Sequence, residues 1–289
     1  MGKLLNQQQP DYYVQVSVCS LNSFLTLNPF SINLSDANRD KINTALTHSI
    51  GSTFILFPEY TYNSELQEQY QNYCNENNCI IIGGSGLESV GANYYAYAPV
   101  FIPNKELIKV YKRHITPEEK IYSNGRILPY PQGVQRQIRL EGNEIDIVFS
   151  VFVCYDFIVE NITERHDIVF VPQYEQSPQQ FISEGDKISK GWRNFVLGAN
   201  NSNDNQRSLG FAILNRAIIT ALSANGLRDA NYQNAAGEKL NHHHTIVYDT
   251  QGEKITTFQL NLATPYSLAF NFSLNGGGPI VIPIANHNL

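Results

Sequence analysis

The chain has 289 residues, of which 42% are hydrophobic and 16% are charged, and its formal net charge is −6. This composition is typical of a folded globular protein with one large domain or two small ones, and it excludes an intrinsically disordered chain. The acidic balance disfavours a nucleic-acid-binding protein, which would normally present a basic face.

Strand-like apolar runs alternate with helix-like segments along the chain. The strands are predicted at residues 12–18, 53–57, 79–82, 93–101, 106–111, 145–153, 167–171 and 196–199. The helices are predicted at residues 36–49, 64–77, 157–164 and 183–195. Residues 245–249 and 254–259 flank a Gln251-Gly252 turn and are predicted to form a hairpin. This order favours an α/β fold in which mixed sheets carry helices on their outer faces.

The chain shows no obvious linker, so we expect a single domain over residues 1–289 with a polar loop insertion over residues 200–244. Four cysteines are too few for a disulfide scaffold in a chain of this length. The first residues, MGKLLNQQQP, lack the features of a signal peptide, and no apolar run approaches the ~20 residues that a membrane helix needs. We therefore expect a cytoplasmic protein that binds neither membranes nor nucleic acid.

Three chemically active residues lie directly after apolar runs. Glu59 follows TFILFP, Lys112 follows LIKVY, and Cys154 follows IVFSVFV. The carboxyl ends of such strands meet around one crevice in an α/β fold. A thiolate can act there as the nucleophile, a carboxylate can move its proton, and an ammonium can stabilise an oxyanion. Each residue alone has an ordinary structural explanation, but their shared position predicts a catalytic site.

The same motifs resemble the nitrilase superfamily of carbon–nitrogen hydrolases, whose members use a Glu-Lys-Cys triad. ILFPEY matches the family's strand that runs into Pro-Glu, and VFVCYD matches its strand that runs into Cys-Tyr-Asp. VYKRHITPEE matches its Tyr-Lys-x-His-Leu segment with a nearby Glu, with Ile115 in place of Leu. IIIGGS, HDIVFVPQ, RNFVLGANNS and YDTQGEKI extend the resemblance over most of the chain.

The resemblance implies a four-layer α-β-β-α sandwich and a thiol-dependent hydrolase of a small amide. It implies that Glu59, Lys112 and Cys154 form the triad and that the Tyr155 N–H helps to bind the oxyanion. A second glutamate near the lysine would be Glu118 or Glu119, and we favour Glu119. The reaction would pass through a Cys thioester with no metal or other cofactor. The Cys-Tyr-Asp motif favours amides over nitriles.

The resemblance further implies a homodimer or higher homo-oligomer that pairs through helices 157–164 and 183–195. Two departures from the family pattern leave a second hypothesis open. Residues 157–160 replace the usual Arg-Phe-Pro-Glu, and residues 210–244 have no counterpart. The alternative is a catalytically weak or silent nitrilase-like module that binds a small molecule or a protein partner, possible in a bacterial defence system. An acyltransferase that uses the same thioester is a third reading.

Histidines offer two further readings, both of which we disfavour. His114 lies close to Lys112 and could serve Cys154 as a base, but the resembling family gives this histidine a structural role. The run His242-His243-His244 could bind a metal, but adjacent strand residues point to opposite faces, so at most two could reach one ion.

Overall fold

The fold is given by a computed structural model, which describes residues 13–141, 146–162, 166–175, 178–192, 194–201, 209–214, 218–223, 244–249 and 253–262. The first eight strands are β1 (Tyr13–Ser20), β2 (Leu25–Leu27), β3 (Phe30–Ile32), β4 (Phe54–Leu56), β5 (Ile80–Ile82), β6 (Gly86–Val90), β7 (Asn93–Phe101) and β8 (Ile108–Tyr111). The other strands are β9 (Gln137–Leu140), β10 (Ile147–Val151), β11 (Ile168–Gln173), β12 (Phe195–Asn200), β13 (Leu209–Leu214), β14 (Ile218–Ser223), β15 (His244–Asp249) and β16 (Lys254–Asn261). The helices are α1 (Asp36–His48), α2 (Gln67–Asn77), α3 (Pro117–Tyr122), α4 (Asp156–Val159) and α5 (Gln179–Trp192).

Most of the described strands form two large mixed sheets, and β2 and β3 form a separate two-stranded antiparallel sheet. The eight-stranded sheet has the order β14-β16-β1-β4-β5-β7-β6, with β8 paired to β7. The six-stranded sheet has the order β15-β13-β12-β11-β10-β9. Parallel pairing joins β1 to β4 and β4 to β5 in the first sheet, and β10 to β11 and β11 to β12 in the second. The predicted α/β class with mixed sheets is confirmed.

The two sheets pack face to face and carry helices on their outer faces. The Phe54 ring of the first sheet lies 5.4 Å from the Phe149 ring and 5.2 Å from the Phe170 ring of the second, measured between centroids. On the other face of β4, Ile55 is buried in a cluster with Leu46 of α1. Because β4 is buried on both faces, its sequence is continuously apolar rather than alternating.

The helices α4 and α5 pack beside the second sheet, and the Phe157 and Phe181 rings stack with their centroids 6.3 Å apart. Buried side chains of α5 belong to the same apolar cluster as those of β11 and β12. The order of helix, sheet, sheet and helix that the family resemblance implied is therefore confirmed.

The predicted hairpin at the end of the described chain is wrong. β15 pairs with β13 in the six-stranded sheet, whereas β16 pairs with β1 and β14 in the eight-stranded sheet. The register of β1 and β16 runs from Tyr13 opposite Asn261 to Ser20 opposite Lys254. β15 and β16 therefore belong to different sheets and do not pair with each other.

The segment predicted as a polar loop, residues 200–244, contains β13 and β14. Its remaining parts at 202–208, 215–217 and 224–243 lie outside the described residues. The single domain over residues 1–289 stays a prediction. Among the described residues, no helix has both the length and the apolarity that crossing a membrane requires.

Candidate active site

The three strand-end residues of the predicted triad lie together. Glu59 follows β4, Lys112 directly follows β8, and Cys154 follows β10. The Lys112 Nζ atom lies 2.9 Å from Glu59 Oε1, and the Cys154 thiol lies close enough to the Glu59 carboxylate to lower its pKa. All three are buried, with exposed fractions of 1% for Glu59, 0% for Lys112 and 5% for Cys154. The sheets thus bring a carboxylate, an ammonium and a thiol into one water-poor site.

A second carboxylate, that of Glu119, lies on the other side of the lysine. Glu119 is in the first turn of α3, where Thr116 is the N-cap and the two residues form a capping box. Its Oε2 accepts the Thr116 N–H at 2.9 Å, and its Oε1 accepts Lys112 Nζ at 2.6 Å and the Tyr60 hydroxyl. Glu118 is exposed. Of the two glutamates that the sequence offered, Glu119 is the one that contacts the lysine.

The two carboxylates titrate differently. Burial raises the pKa of Glu59 to about 7, although the attraction of Lys112 opposes this rise. Burial alone would also raise the pKa of Glu119. The charge of Lys112 and the hydrogen bonds from Lys112 and the Tyr60 hydroxyl outweigh burial and lower this pKa overall. The pKa of Lys112 is raised well above its ordinary value, because the two carboxylates outweigh its burial. Glu119 and Lys112 therefore stay charged at neutral pH, whereas Glu59 can gain or lose a proton.

The thiol keeps its proton in this arrangement. Burial raises the pKa of Cys154 well above its ordinary value, the Glu59 charge raises it further, and Lys112 opposes both. The nearby Tyr174 N–H also lowers the pKa. A protonated thiol beside a carboxylate that titrates near neutral pH is the arrangement of a nucleophile with its general base.

Cys154 lies in a tight turn between β10 and α4. Its φ is 48°, in the left-handed region, and a non-glycine residue there costs about 1–3 kcal/mol. The Cys154 N–H donates to the Pro172 carbonyl at 2.8 Å, and the Phe157 N–H donates to the Cys154 carbonyl at 3.0 Å. The next N–H, that of Tyr155, has no hydrogen-bond partner among the described residues. The role of the Tyr155 N–H as an oxyanion donor stays a prediction.

Gly84 allows the Glu59 loop to approach β5. Gly84 has a φ of +80°, and a Cβ atom built on it would lie 2.2 Å from the Pro58 carbonyl oxygen. The Tyr60 N–H donates to Ser85 Oγ at 2.9 Å, so the glycine and the serine together fix the loop that carries Glu59. The second glycine after β5, Gly84, is therefore required by its positive φ and by the close approach of the Pro58 carbonyl.

His114 pairs with carboxylates and not with the Cys154 thiol. His114 Nδ1 is 2.9 Å from Asp156 Oδ1 and 3.6 Å from Glu160 Oε1. These three side chains are of metal-ligand type, but both carboxylates already pair with the Arg136 guanidinium. His242 and His243 lie outside the described residues, and His244 is the first residue of β15.

Sequence reasoning missed Tyr60, Tyr174 and Arg136. Tyr60 and Tyr174 directly follow Glu59 and β11, so their positions at strand ends were a usable signal. The Tyr60 and Tyr174 rings contact each other edge to face, with centroids 6.1 Å apart. Nothing in the local sequence marks Arg136.

Comparisons with known proteins agree with this arrangement of the fold. No protein-family model and no curated protein matches the sequence. Among solved structures, Nit3 of Saccharomyces cerevisiae, a member of branch 10 of the nitrilase superfamily, has a TM-score of 0.55 at 14% identity, over 86% of this chain and 90% of that one. A CN-hydrolase superfamily protein of Xanthomonas campestris with an arsenic adduct in its active site has a TM-score of 0.51 at 16% identity, over 71% and 83%.

A mutant of the amidase from Nesterenkonia sp. AN1 is also similar, with a TM-score of 0.53 at 13% identity over 91% of this chain and 94% of that one. Its active-site cysteine carries the acetamide moiety of fluoroacetamide as a covalent addition. The chain therefore has the fold seen in these nitrilase, or carbon–nitrogen hydrolase, superfamily structures, at 13–16% sequence identity.

Proposed function

We propose that the chain is a thiol-dependent hydrolase that cleaves the C–N bond of a small amide through a thioester on Cys154. The observation that carries this proposal is the buried group in which Glu59 contacts both the Cys154 thiol and the Lys112 ammonium. The superfamily fold supports the general class of reaction.

In the first half of the reaction, the Cys154 sulfur attacks the amide carbon and its proton passes to Glu59. The carbonyl oxygen becomes an oxyanion, which Lys112 and the Tyr155 N–H stabilise. The tetrahedral intermediate then collapses, the C–N bond breaks, and the amine leaves with the proton from Glu59. The product on the enzyme is a thioester between Cys154 and the acyl group.

In the second half, water replaces the amine. Glu59, ionised again, takes a proton from the water as it attacks the thioester carbon. The C–S bond breaks, the sulfur regains a proton, and the acid leaves. Glu119 holds Lys112 in place through its 2.6 Å ion pair and contacts neither the nucleophile nor the leaving group in this scheme. Each step is a proton transfer or an acyl transfer, so the scheme uses no cofactor.

The charged group is difficult to explain in a module that only binds. Two carboxylates and one ammonium are buried together, and such groups cost several kcal/mol of desolvation per ion that apolar residues would avoid. An acyl-transfer site, by contrast, needs a base, an oxyanion-stabilising cation and a nucleophile in contact. The choice of an amide over a nitrile rests on the Cys-Tyr-Asp motif. The homo-oligomer and the cytoplasmic location stay predictions.

A panel of primary amides of aliphatic and aromatic acids tests the proposal, with ammonia release as the readout. We expect release from at least one amide by the wild type and none by Cys154→Ala. Added hydroxylamine should divert the acyl group to a hydroxamate, since it competes with water for the thioester. No ammonia from any amide, together with no selective alkylation of Cys154, would overturn the proposal.

A further inference from the structure

A buried carboxylate links the turn that carries Cys154 to the segment that carries Lys112. Asp156, two residues after Cys154, has an exposed fraction of 0%. Its Oδ1 accepts the His114 N–H at 2.7 Å, and its Oδ2 accepts the Arg113 N–H at 3.0 Å. These two N–H groups come directly after Lys112. One side chain from the Cys154 turn therefore holds the backbone that carries the lysine.

The carboxylate is held in turn by a buried arginine. Arg136, which directly precedes β9, has an exposed fraction of 7%. Its Nη2 donates to Asp156 Oδ2 at 2.7 Å, and its Nε donates to Glu160 Oε2 at 2.5 Å. A carboxylate that is fully buried without a positive partner is costly and tends to gain a proton or turn toward water. The hold of Asp156 on the lysine segment thus depends on Arg136.

Other contacts of Arg136 reach the residues just before the two catalytic side chains. Its Nη1 donates to the Tyr111 carbonyl at 3.4 Å, and Tyr111 directly precedes Lys112. Its guanidinium carbon lies 5.2 Å from the centre of the Phe152 ring, two residues before Cys154. The Arg136 carbonyl accepts the Val151 N–H at 3.2 Å. Arg136 therefore contacts the chain on both sides of the site without contact to Glu59 or Cys154.

We propose that Arg136 is a positioning residue that, through Asp156, sets the distance between the Lys112 ammonium and the Cys154 sulfur. This inference rests on the proposed function, because it assigns Arg136 a role in the same reaction. Small displacements matter in such a site, since a shift of about 1 Å can cost about a hundredfold in rate. The simpler explanation is that Arg136 only stabilises the loop through Glu160, and the two explanations predict different behaviour in variants.

Hydrogen exchange measures the link directly. In Arg136→Gln, we expect the Arg113 and His114 amides to exchange about tenfold faster or more, the size expected when a charge-assisted hydrogen bond is lost. In Glu160→Gln, the Arg136–Asp156 pair remains, so exchange at these amides should not change. Arg139→Gln is the matched control, because Arg139 also lies at β9 but is exposed, with a 62% exposed side chain.

The pH profile of Cys154 alkylation measures how a displaced Lys112 changes the pKa of Glu59. Lys112 lowers the pKa of Glu59, so a lysine that moves away should shift the midpoint of the alkylation pH profile upward, by about one pH unit in Arg136→Gln. The two control variants should keep the wild-type midpoint. If circular dichroism shows that Arg136→Gln does not fold, Arg136→Lys takes its place, with the same direction and a smaller effect expected, since lysine keeps the charge but not the forked geometry.

Unchanged exchange at Arg113 and His114 in a folded Arg136 variant would overturn the inference, as would an equal increase in Glu160→Gln. Faster exchange with an unchanged alkylation midpoint would also overturn it, since the link would then be structural only. A wild type in which Cys154 is no more reactive than the other cysteines would instead count against the proposed function, and exchange would still decide whether Arg136 holds the lysine segment.

Discussion

Glu59 should control the reactivity of Cys154 through one titration near pH 7. Its pKa is about 7, and the Cys154 pKa lies well above the ordinary thiol value. Below the Glu59 pKa the ionised fraction falls about tenfold per pH unit, so alkylation at pH 5 should run at roughly one hundredth of its plateau rate. We would measure iodoacetamide modification of Cys154 in the native protein by peptide mass mapping between pH 5 and pH 9.

The substitution Glu59→Gln removes the base but keeps the shape of the side chain. The variant should lose the inflection near pH 7 and follow only the ionisation of its own thiol, in the field of Lys112. The position of the curve, and not the size of the rate, is the informative quantity, because Glu59 also raises the pKa of Cys154. An inflection that persists in Glu59→Gln, or that is lost in His114→Gln, would refute the reasoning.

Three further substitutions test the structure of the site. Lys112→Met should lower the free energy of unfolding by about 3–5 kcal/mol at pH 8, because two buried carboxylates lose their cation. This loss of stability should shrink toward pH 5, where Glu59 binds a proton. Urea unfolding at both pH values measures the difference. Tyr60→Phe should cost about 1.5–3 kcal/mol in the same assay, since a hydrogen bond to the Glu119 carboxylate is lost; equal stability would contradict this. Gly84→Ala should destabilise more than Gly91→Ala, because both have positive φ but only the Gly84 Cβ would meet backbone; thermal unfolding compares the two, and equal losses would contradict the close approach to Pro58.

Much of the site could be predicted because it follows from short-range rules. Apolar runs that end at Glu59, Lys112 and Cys154 are strands buried in sheets, and strand ends converge. The helix α3 could also have been found, because Thr116-Pro117-Glu118-Glu119 is a capping-box pattern with Pro at the first helical position. The same pattern would have assigned the buried glutamate as Glu119, since the third helical residue turns back to the cap.

The features that the sequence did not predict depend on contacts between distant parts of the chain. The sequence Gln251-Gly252 favours a hairpin turn, but the pairing of β16 with β1 and of β15 with β13 decides the topology. The role of Arg136 is equally non-local. Its partners Asp156 and Glu160 lie 20 and 24 residues away in the sequence, and no periodicity or turn chemistry connects them.

The central claim is that Cys154 is an activated nucleophile in a site that accepts an amide. The most direct test is incubation of the native protein with fluoroacetamide, a weak alkylating agent, followed by peptide mass mapping and an ammonia assay. We predict that the amide is consumed in a Cys154-dependent way, as an adduct on Cys154 or as released ammonia, while Cys19, Cys74 and Cys79 stay unmodified. Neither adduct nor ammonia, or equal modification of all four cysteines, would contradict the account.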